Sequence, residues 1–290
     1  MLKEYLKASK TWVEDYLKEV LNSPNTEYEK LYESMRYSYS WAVNGFADLT
    51  KRLWNPRCSP EPYKEIVCAI ELIHTYSLIH DDLPAMDNDD YRRGNLTNHK
   101  VYGDGLAVLA GDGLLTYAFQ LICQNKAATP EQHLKCVLAL AKAAGPEGMV
   151  GGQAFDLLSE GRHIPLSELQ VLHRGKTGAL FLAAIEIGLI LSHASADVHK
   201  AYMTYGDQLG LLFQITDDIL DVTGTIEDLG KMPGSDEKQD KSTYVSELGE
   251  DGARAKADET AAAAKSALAS VPNDTTILEA LVDYLVHRTN

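Results

Sequence analysis

Apolar residues recur at helical spacing through almost the whole chain, and that periodicity leaves room for little besides helices. Leu2, Tyr5, Leu6, Val13, Leu17, Val20 and Leu21 form one stripe over residues 2–21. The segments 65–80, 106–124, 133–143, 167–192, 199–222 and 274–288 repeat the pattern. No alternating, β-branched-rich run competes with it. Pro and Gly fall between the periodic blocks, at Pro24, Pro130, Gly145-Pro146, Pro165 and Pro233-Gly234, where they read as loops. Residues 253–269 are rich in Ala with interspersed charges, which reads as a solvated outer helix. Neither a solenoid repeat nor a low-complexity linker divides the chain. The expected fold is all-α: one domain over 1–290, a bundle of about ten helices whose site would sit in a central cavity built from facing helices.

Charge and apolar length narrow the class. With 42 acidic against 27 basic residues and a net charge of -15, the chain lacks the basic face that nucleic acid requires. No uninterrupted apolar stretch approaches the roughly 18–20 residues of a membrane span, so no stable membrane insertion is expected. The start, Met1-Leu2-Lys3-Glu4-Tyr5, is already charged and does not read as a signal peptide. Cys58, Cys68, Cys123 and Cys136 show no metal-type spacing and read as free thiols of a reducing cytoplasm.

Two acidic clusters carry the chemistry. The first runs His80-Asp81-Asp82-Leu83-Pro84-Ala85-Met86-Asp87, followed by Asp89-Asp90-Tyr91-Arg92-Arg93-Gly94. On a straight helix Asp81 and Asp87 would stand about 240° apart and could not share a face. Pro84 cannot sit quietly inside a helix, so the chain is expected to end its helix there and return Asp87 towards Asp81. The second cluster is Gln214-Ile215-Thr216-Asp217-Asp218-Ile219-Leu220-Asp221, in which Asp217 and Asp221 are four apart on one face. A single acidic run is ordinarily a solvated helix end. Two runs at the ends of apolar helices are different, because clustered carboxylates repel and resist desolvation. Mg²⁺ relieves both costs and also takes substrate phosphate. Arg92-Arg93, Lys176-Thr177, Lys231, Lys238 and Lys241 supply cations suited to phosphate, although each alone reads as ordinary surface charge. Carboxylate, Mg²⁺ and Arg/Lys together suit a diphosphate leaving group.

These residues resemble the class I trans-prenyltransferases, specifically bacterial-type farnesyl/geranylgeranyl diphosphate synthases. The resemblance runs over nearly the whole chain. It is carried by the stretch from Glu71 to Asp87, Arg92-Arg93-Gly94, Thr97-Asn98-His99-Lys100, Ala110-Gly111-Asp112, Gly152-Gln153-Ala154-Phe155-Asp156, Lys176-Thr177-Gly178, Phe213 to Asp221, and Gly234 to Tyr244. It implies the isoprenoid synthase-type helical bundle, usually a homodimer. It implies three Mg²⁺ ions, for which Mn²⁺ can substitute. Asp81, Asp87 and Asp217 would hold the metal on an allylic diphosphate, with Asp82, Asp218 and Asp221 as ligands or close supports. Arg92, Lys176 and Lys231 would grip that diphosphate, with Lys241 nearby. Thr177 and Gln214 would line the allylic site and steady a developing cation, while His74 and Arg93 would contact isopentenyl diphosphate. Tyr76, five residues before Asp81, would form the floor of the product pocket and favour a C15 product over C20; plain core packing is the alternative role for that ring.

One segment departs from the family. After Ser34-Met35-Arg36-Tyr37-Ser38 the family has Gly-Gly-Lys-Arg-x-Arg-Pro, whose cations bind isopentenyl diphosphate; here Trp41-Ala42-Val43-Asn44-Gly45-Phe46-Ala47 stands instead. Read from the last base of the Trp codon, the genetic code permits Gly-Gly-Lys-Arg-Ile-Arg. The same shift at Lys51-Arg52-Leu53-Trp54-Asn55 permits Thr-Leu-Glu. Residues 39–64 are therefore atypical and read as a compensated pair of frameshifts, in the gene or in its sequencing. Three functions follow as expectations. The chain is a farnesyl-forming synthase, a geranylgeranyl-forming one, or a prenyl-diphosphate-binding homologue impaired by the lost segment. A terpene cyclase would not pair both clusters with Arg92-Arg93 and Lys176-Thr177. The tail Tyr284 to Arg288 either closes near the second substrate or frays as a surface helix.

Overall fold

The computed structural model describes residues 2–42, 50, 60–224, 241–272 and 274–288, with backbone alone at 40–42. Among these residues the chain is α-helical apart from short turns and one two-stranded ribbon. In chain order the helices are α1 (Leu2–Val20), α2 (Glu29–Ala42), α3 (Lys64–Asp81), α4 (Asn98–Tyr102), α5 (Asp104–Gln124) and α6 (Pro130–Ala144). Then come α7 (Met149–Ser159), α8 (Leu166–His173), α9 (Ala179–Ser192), α10 (Ala196–Thr223), α11 (Tyr244–Leu268) and α12 (Thr276–His287). The ribbon pairs β1 (Tyr91–Arg92) with β2 (Asn95–Leu96), antiparallel. The chain divides into two compact units, residues 1–138 and 139–290.

In the first unit α3 is the core. Ile66, Val67, Ile70, Leu72, Ile73 and Ile79 are wholly excluded from water. Each such side chain stabilises the fold by about 1.5–3 kcal/mol. Apolar residues surround α3 because α1, α2 and above all α5 pack against it. From α1 come Val13, Tyr16 and Leu17, at the three-and-four spacing that puts them on one face. A buried side-chain network ties α2 to α4: Asn98 Nδ2 donates to Ser34 O at 2.9 Å and to Ser38 Oγ at 2.8 Å, and Ser34 Oγ donates to Asn98 Oδ1 at 2.9 Å.

In the second unit α10 and α11 form the main pair, with α9 and α12 against α10. The start of α11 is fixed by a reciprocal cap. Thr243 Oγ1 accepts from Ser246 N at 3.0 Å, and Ser246 Oγ accepts from Thr243 N at 2.9 Å. Ser195 caps α10 through Val198 N.

Several expectations change. The Ala-rich stretch is a helix solvated on its outer side, and it also buries one face, Ala253, Ala257, Thr260, Ala261 and Ala264 of α11, whose small side chains admit a close neighbour. Pro130 opens α6 rather than a loop, at a position where its missing N–H costs nothing. Helices α2, α4 and α7 escaped the periodicity, and the long run from 166 to 192 is broken by a π-helical turn, Arg174–Gly178. Two helical stretches, Asp104–Gln124 and Leu166–Ser192, are long and apolar enough by length and composition to cross a membrane. Asp112 in the first and Glu168, Arg174, Lys176 and Glu186 in the second interrupt the apolar runs. Cys68, Cys123 and Cys136 are free thiols, as expected; Cys58 lies outside the described residues.

Candidate active site

In the first unit the site residues cluster where α3 stops. Asp81 is its last residue, and Asp82 N still donates to Leu78 O. Pro84 then ends the helix. The chain curls through Leu83 and Met86 until Asp87 N donates to Asp81 O at 2.9 Å. The return expected of Pro84 is thus present, and it brings the two aspartates together at the backbone.

Asp81 is half-buried, whereas Asp82 turns fully inward. Consecutive helical residues point about 100° apart, so a side-by-side pair cannot serve one face. Asp82 is fully buried and its Oδ1 accepts from Arg92 Nε at 2.8 Å and from Arg92 Nη2 at 2.7 Å. Its Oδ2 has no hydrogen-bond partner among the described residues. Burial pushes this carboxyl up to about 6 despite the guanidinium, which pulls the other way. Asp82 thus holds Arg92, and Asp81 stands beside Asp87.

The ribbon aims the two arginines. Arg92 pairs with Asn95, leaving Arg93 and Gly94 as a two-residue turn with φ of 51° and 77°. Positive φ at both positions is the turn that matches the twist of a hairpin. Gly takes that conformation readily; Arg does not, so Arg93 is held in a conformation costing about 1–3 kcal/mol. His74, on α3, is pushed down to about 3 by burial and then by Arg93 and Arg92. It is therefore neutral at working pH and offers a hydrogen bond rather than a charge. Tyr76 is buried, meets the His80 ring edge-on at 5.7 Å, and has its phenol pushed up to about 12 by burial and by Asp81. A Cβ on Gly111 would lie 2.1 Å from His80 Nε2, so only Gly at that point of α5 lets His80 lie where it does.

In the second unit the centre is the π-helical turn, a form that recurs at functional sites. Two glycine contacts press it into place. A Cβ on Gly152 of α7 would come within 2.1 Å of Lys176 N, and one on Gly210 of α10 within 3.1 Å of Gly178 Cα. The turn carries Lys176 and Thr177. Lys176 Nζ donates to Asp156 Oδ2 at 2.6 Å, and Lys241 Nζ lies 3.7 Å from the same oxygen. Burial raises the Asp156 carboxyl, but the two ammonium groups outweigh it and hold the group below the usual carboxylate range. Thr177 Oγ1 donates to Gln214 Oε1 at 3.3 Å, Gln214 Nε2 to Asp218 Oδ1 at 3.0 Å, and Tyr244 N to Asp218 Oδ2 at 2.7 Å.

The outward–inward division recurs here. The side chain of Asp217 is 52% exposed whereas Asp218 and Asp221 are buried. Arg288, at the end of α12, donates from Nη2 to Asp217 Oδ1 at 3.3 Å and to Phe213 O at 3.0 Å, with its guanidinium 4.4 Å from the centre of the Phe213 ring. The tail therefore packs against the second cluster rather than fraying.

Among the described residues no three His, Cys, Asp or Glu side chains gather as a ready metal cage. The donor chemistry of each unit nonetheless suits a hard cation: Asp81 and Asp87 in the first, and Asp217 in the second, offer carboxylate oxygens. Lys231 and Lys238 lie outside the described residues, as do Lys51 and Arg52 and most of the atypical segment. Local sequence logic passed over Asp156 as the partner of Lys176. Its only signal was its place in the Gly152 to Asp156 stretch.

Comparison with known proteins adds the following. The model of the family described as polyprenyl synthetase matches residues 42–285, across both units. A farnesyl diphosphate synthase of Geobacillus stearothermophilus is 52% identical over 66% of this chain and 65% of its own length. A dimethylallyltranstransferase of Fischerella ambigua is 43% identical over 100% of this chain and 84% of its own. The crystal structure of an FPP/GFPP synthase from Zymomonas mobilis superposes with a TM-score of 0.86 at 34% identity, covering 98% of each chain.

Proposed function

The chain belongs to the polyprenyl synthetase family, and from that premise we propose that it is a short-chain prenyltransferase joining isopentenyl diphosphate to dimethylallyl or geranyl diphosphate, with farnesyl diphosphate as product. The observation that carries this reading is an aspartate cluster with its own arginine in each unit, Asp82 with Arg92 and Asp217 with Arg288, beside a Lys176–Asp156 pair and a fixed Thr177–Gln214 chain. The single-domain reading of 1–290 is supported by one family model spanning 42–285.

The roles divide as follows. Asp81, Asp87 and Asp217, with Asp221 close by, would hold three Mg²⁺ ions, Mn²⁺ substituting. The chemistry a bound Mg²⁺ would supply there is neutralisation of the allylic diphosphate's charge, which would make it a better leaving group. Arg92, oriented by Asp82, would grip that diphosphate together with Lys176, Lys241 and Lys231. Thr177 and Gln214 would turn oxygen atoms towards the carbon that loses its leaving group. Neutral His74 and Arg93 would hold the isopentenyl diphosphate whose double bond attacks. The departed pyrophosphate would then take the proton lost from the new carbon chain.

Tyr76, buried one and a half turns above Asp81, supports C15 over C20. A homodimer is the assembly this reading carries; Val108 and Leu109 on α5 and Leu134 and Leu138 on α6 are large apolar side chains left exposed. A cytoplasmic enzyme without nucleic-acid partners fits the acidic composition. The missing Gly-Gly-Lys-Arg-x-Arg segment favours a second reading, an impaired homologue that binds allylic diphosphate but condenses poorly.

The test is a product assay with Mg²⁺, geranyl diphosphate and labelled isopentenyl diphosphate. Farnesol after dephosphorylation is expected. Geranylgeraniol would overturn the C15 assignment. Mg²⁺-dependent binding of geranyl diphosphate without elongation would favour the impaired homologue. Sequencing the gene across Ser40 to Tyr63 decides the frameshift.

A further inference from the structure

Asp218 is buried in the second unit and sits where three elements meet: the π-helical turn, α10 and the start of α11. We infer that Asp218 is a positioning residue that fixes which way the Gln214 amide faces, and through it the polarity of the Thr177 hydroxyl. This rests on the prenyltransferase reading and deepens it.

The argument is one of donors and acceptors. Asp218 accepts at both of its oxygens, at Oδ2 from Tyr244 N at 2.7 Å and at Oδ1 from Gln214 Nε2 at 3.0 Å, so the Gln214 amide faces it with its nitrogen. The amide oxygen is thereby turned to Thr177, whose Oγ1 lies 3.3 Å away and must donate to it. The Thr177 hydrogen is then committed, and Oγ1 presents lone pairs elsewhere. The chain of dipoles has one sense throughout, with oxygen ends leading out from Asp218. That sense stabilises a carbon acquiring positive charge, and the reverse sense would oppose it. The far side of Asp218 is anchored as firmly. Its Oδ2 accepts from Tyr244 N at 2.7 Å, at the first residue of α11, where the helix end favours an anion. The Thr243–Ser246 cap holds that helix end in place.

Asp218→Asn tests the polarity without changing the shape. To keep the Tyr244 bond, the new amide must turn its oxygen to Tyr244 and its nitrogen to Gln214. Gln214 then flips, and Thr177 becomes an acceptor of an N–H. The expected result is a fall in kcat of at least about tenfold. KM for the allylic diphosphate and the Mg²⁺ concentration at half-maximal rate should stay within about twofold, as an uncoupled carboxylate role would not allow. Gln214→Glu alone sets two carboxylates against each other and should also lose rate. Together, Gln214→Glu and Asp218→Asn restore an oxygen towards Thr177 with the original net charge, and the pair should recover at least about tenfold over the product of the single losses.

Additive losses, or a tenfold rise in the Mg²⁺ requirement of Asp218→Asn, would overturn the inference and make Asp218 a metal ligand. A second readout needs no turnover. In protein labelled with ¹⁵N-glutamine, the Gln214 side-chain NH₂ pair, identified by its loss in Gln214→Glu, should be protected from exchange and should shift in Asp218→Asn. An unprotected or unmoved pair overturns the inference. A wild-type chain that binds no allylic diphosphate refutes the prenyltransferase reading instead, and leaves the amide orientation to be judged by the NH₂ resonance.

Discussion

Replacing Asp82 tests whether the residue is a support for Arg92 or a metal ligand. At neutral pH this carboxylate is charged at a cost. Its rise from 3.8 to about 6 amounts to about 3 kcal/mol against the ionised form. For an acid raised in the folded state, the stability it contributes is complete below pH 3.8 and is lost as pH climbs through about 6. Asp82→Asn removes that cost and keeps one oxygen to accept both Arg92 bonds. It forfeits charge assistance, about 1–2 kcal/mol over the pair. The two effects nearly cancel, so at pH 7.5 its stability should lie within about 2 kcal/mol of wild type. Asp82→Ala instead leaves a guanidinium with no close acceptor, the nearest other carboxylate being Asp89 at 3.9 Å. That variant should lose about 3–5 kcal/mol. Urea unfolding midpoints at constant m-value give all three numbers. The gain in stability between pH 7.5 and 5 attributable to Asp82 should vanish in Asp82→Asn. Equal losses in the Asn and Ala variants would refute the reasoning. So would a tenfold increase in the Mg²⁺ requirement with KM for the allylic substrate unchanged, since a support for Arg92 must act on that KM.

Three further outcomes follow from the geometry. Tyr76→Ala should move the product from C15 towards C20, read by chromatography of the dephosphorylated alcohols; an unchanged product would remove Tyr76 from the pocket floor. Gly152→Ala drives a Cβ to 2.1 Å from Lys176 N, a backbone atom that cannot rotate aside, and should cost at least about 1–3 kcal/mol with a matching loss of kcat. A wild-type melting temperature would show that α7 and the turn can separate freely. His173 is buried against Tyr244, lacks a partner for Nδ1, and is pushed down to about 3 by burial. Its folded form resists a proton that the unfolded chain takes near 6.5, so the stability it contributes is present above pH 6.5 and falls on acidification, by up to about 1.4 kcal/mol per pH unit. His173→Phe should flatten that acid limb in urea titrations at pH 7 and 5; an unaltered slope would mean His173 is protonated in the folded protein.

The helices and the Asp81–Asp87 return were legible because they depend on local rules: apolar spacing for α1, α3 and α10, and the missing amide and fixed φ of Pro84. What escaped depends on partners far along the chain. Nothing near Lys176 announces Asp156, twenty residues earlier, and nothing near Asp217 announces Arg288, seventy-one residues later. The inward turn of Asp82 and Asp218 was in principle readable from the 100° step of the helix. It becomes visible only once the buried side of each helix is known, because an acidic pair gives no sign of which member faces water. The Arg93-Gly94 hairpin was hidden by its first residue, which takes a conformation that Gly or Asn usually supplies.

The π-helical turn at Arg174–Gly178 has a consequence for how the gene can vary. A π-type turn closes its hydrogen bond over one residue more than a regular helical turn. Loss of a single codon there would let α8 and α9 run on as one ordinary helix with good local bonding. Every side chain beyond the deletion would then be rotated by about 100°, and Lys176 and Thr177 would leave Asp156 and Gln214 together. Length, more than side-chain identity, is therefore what selection must guard in this stretch. A surviving homologue with one residue fewer should carry a compensating insertion within the same helix.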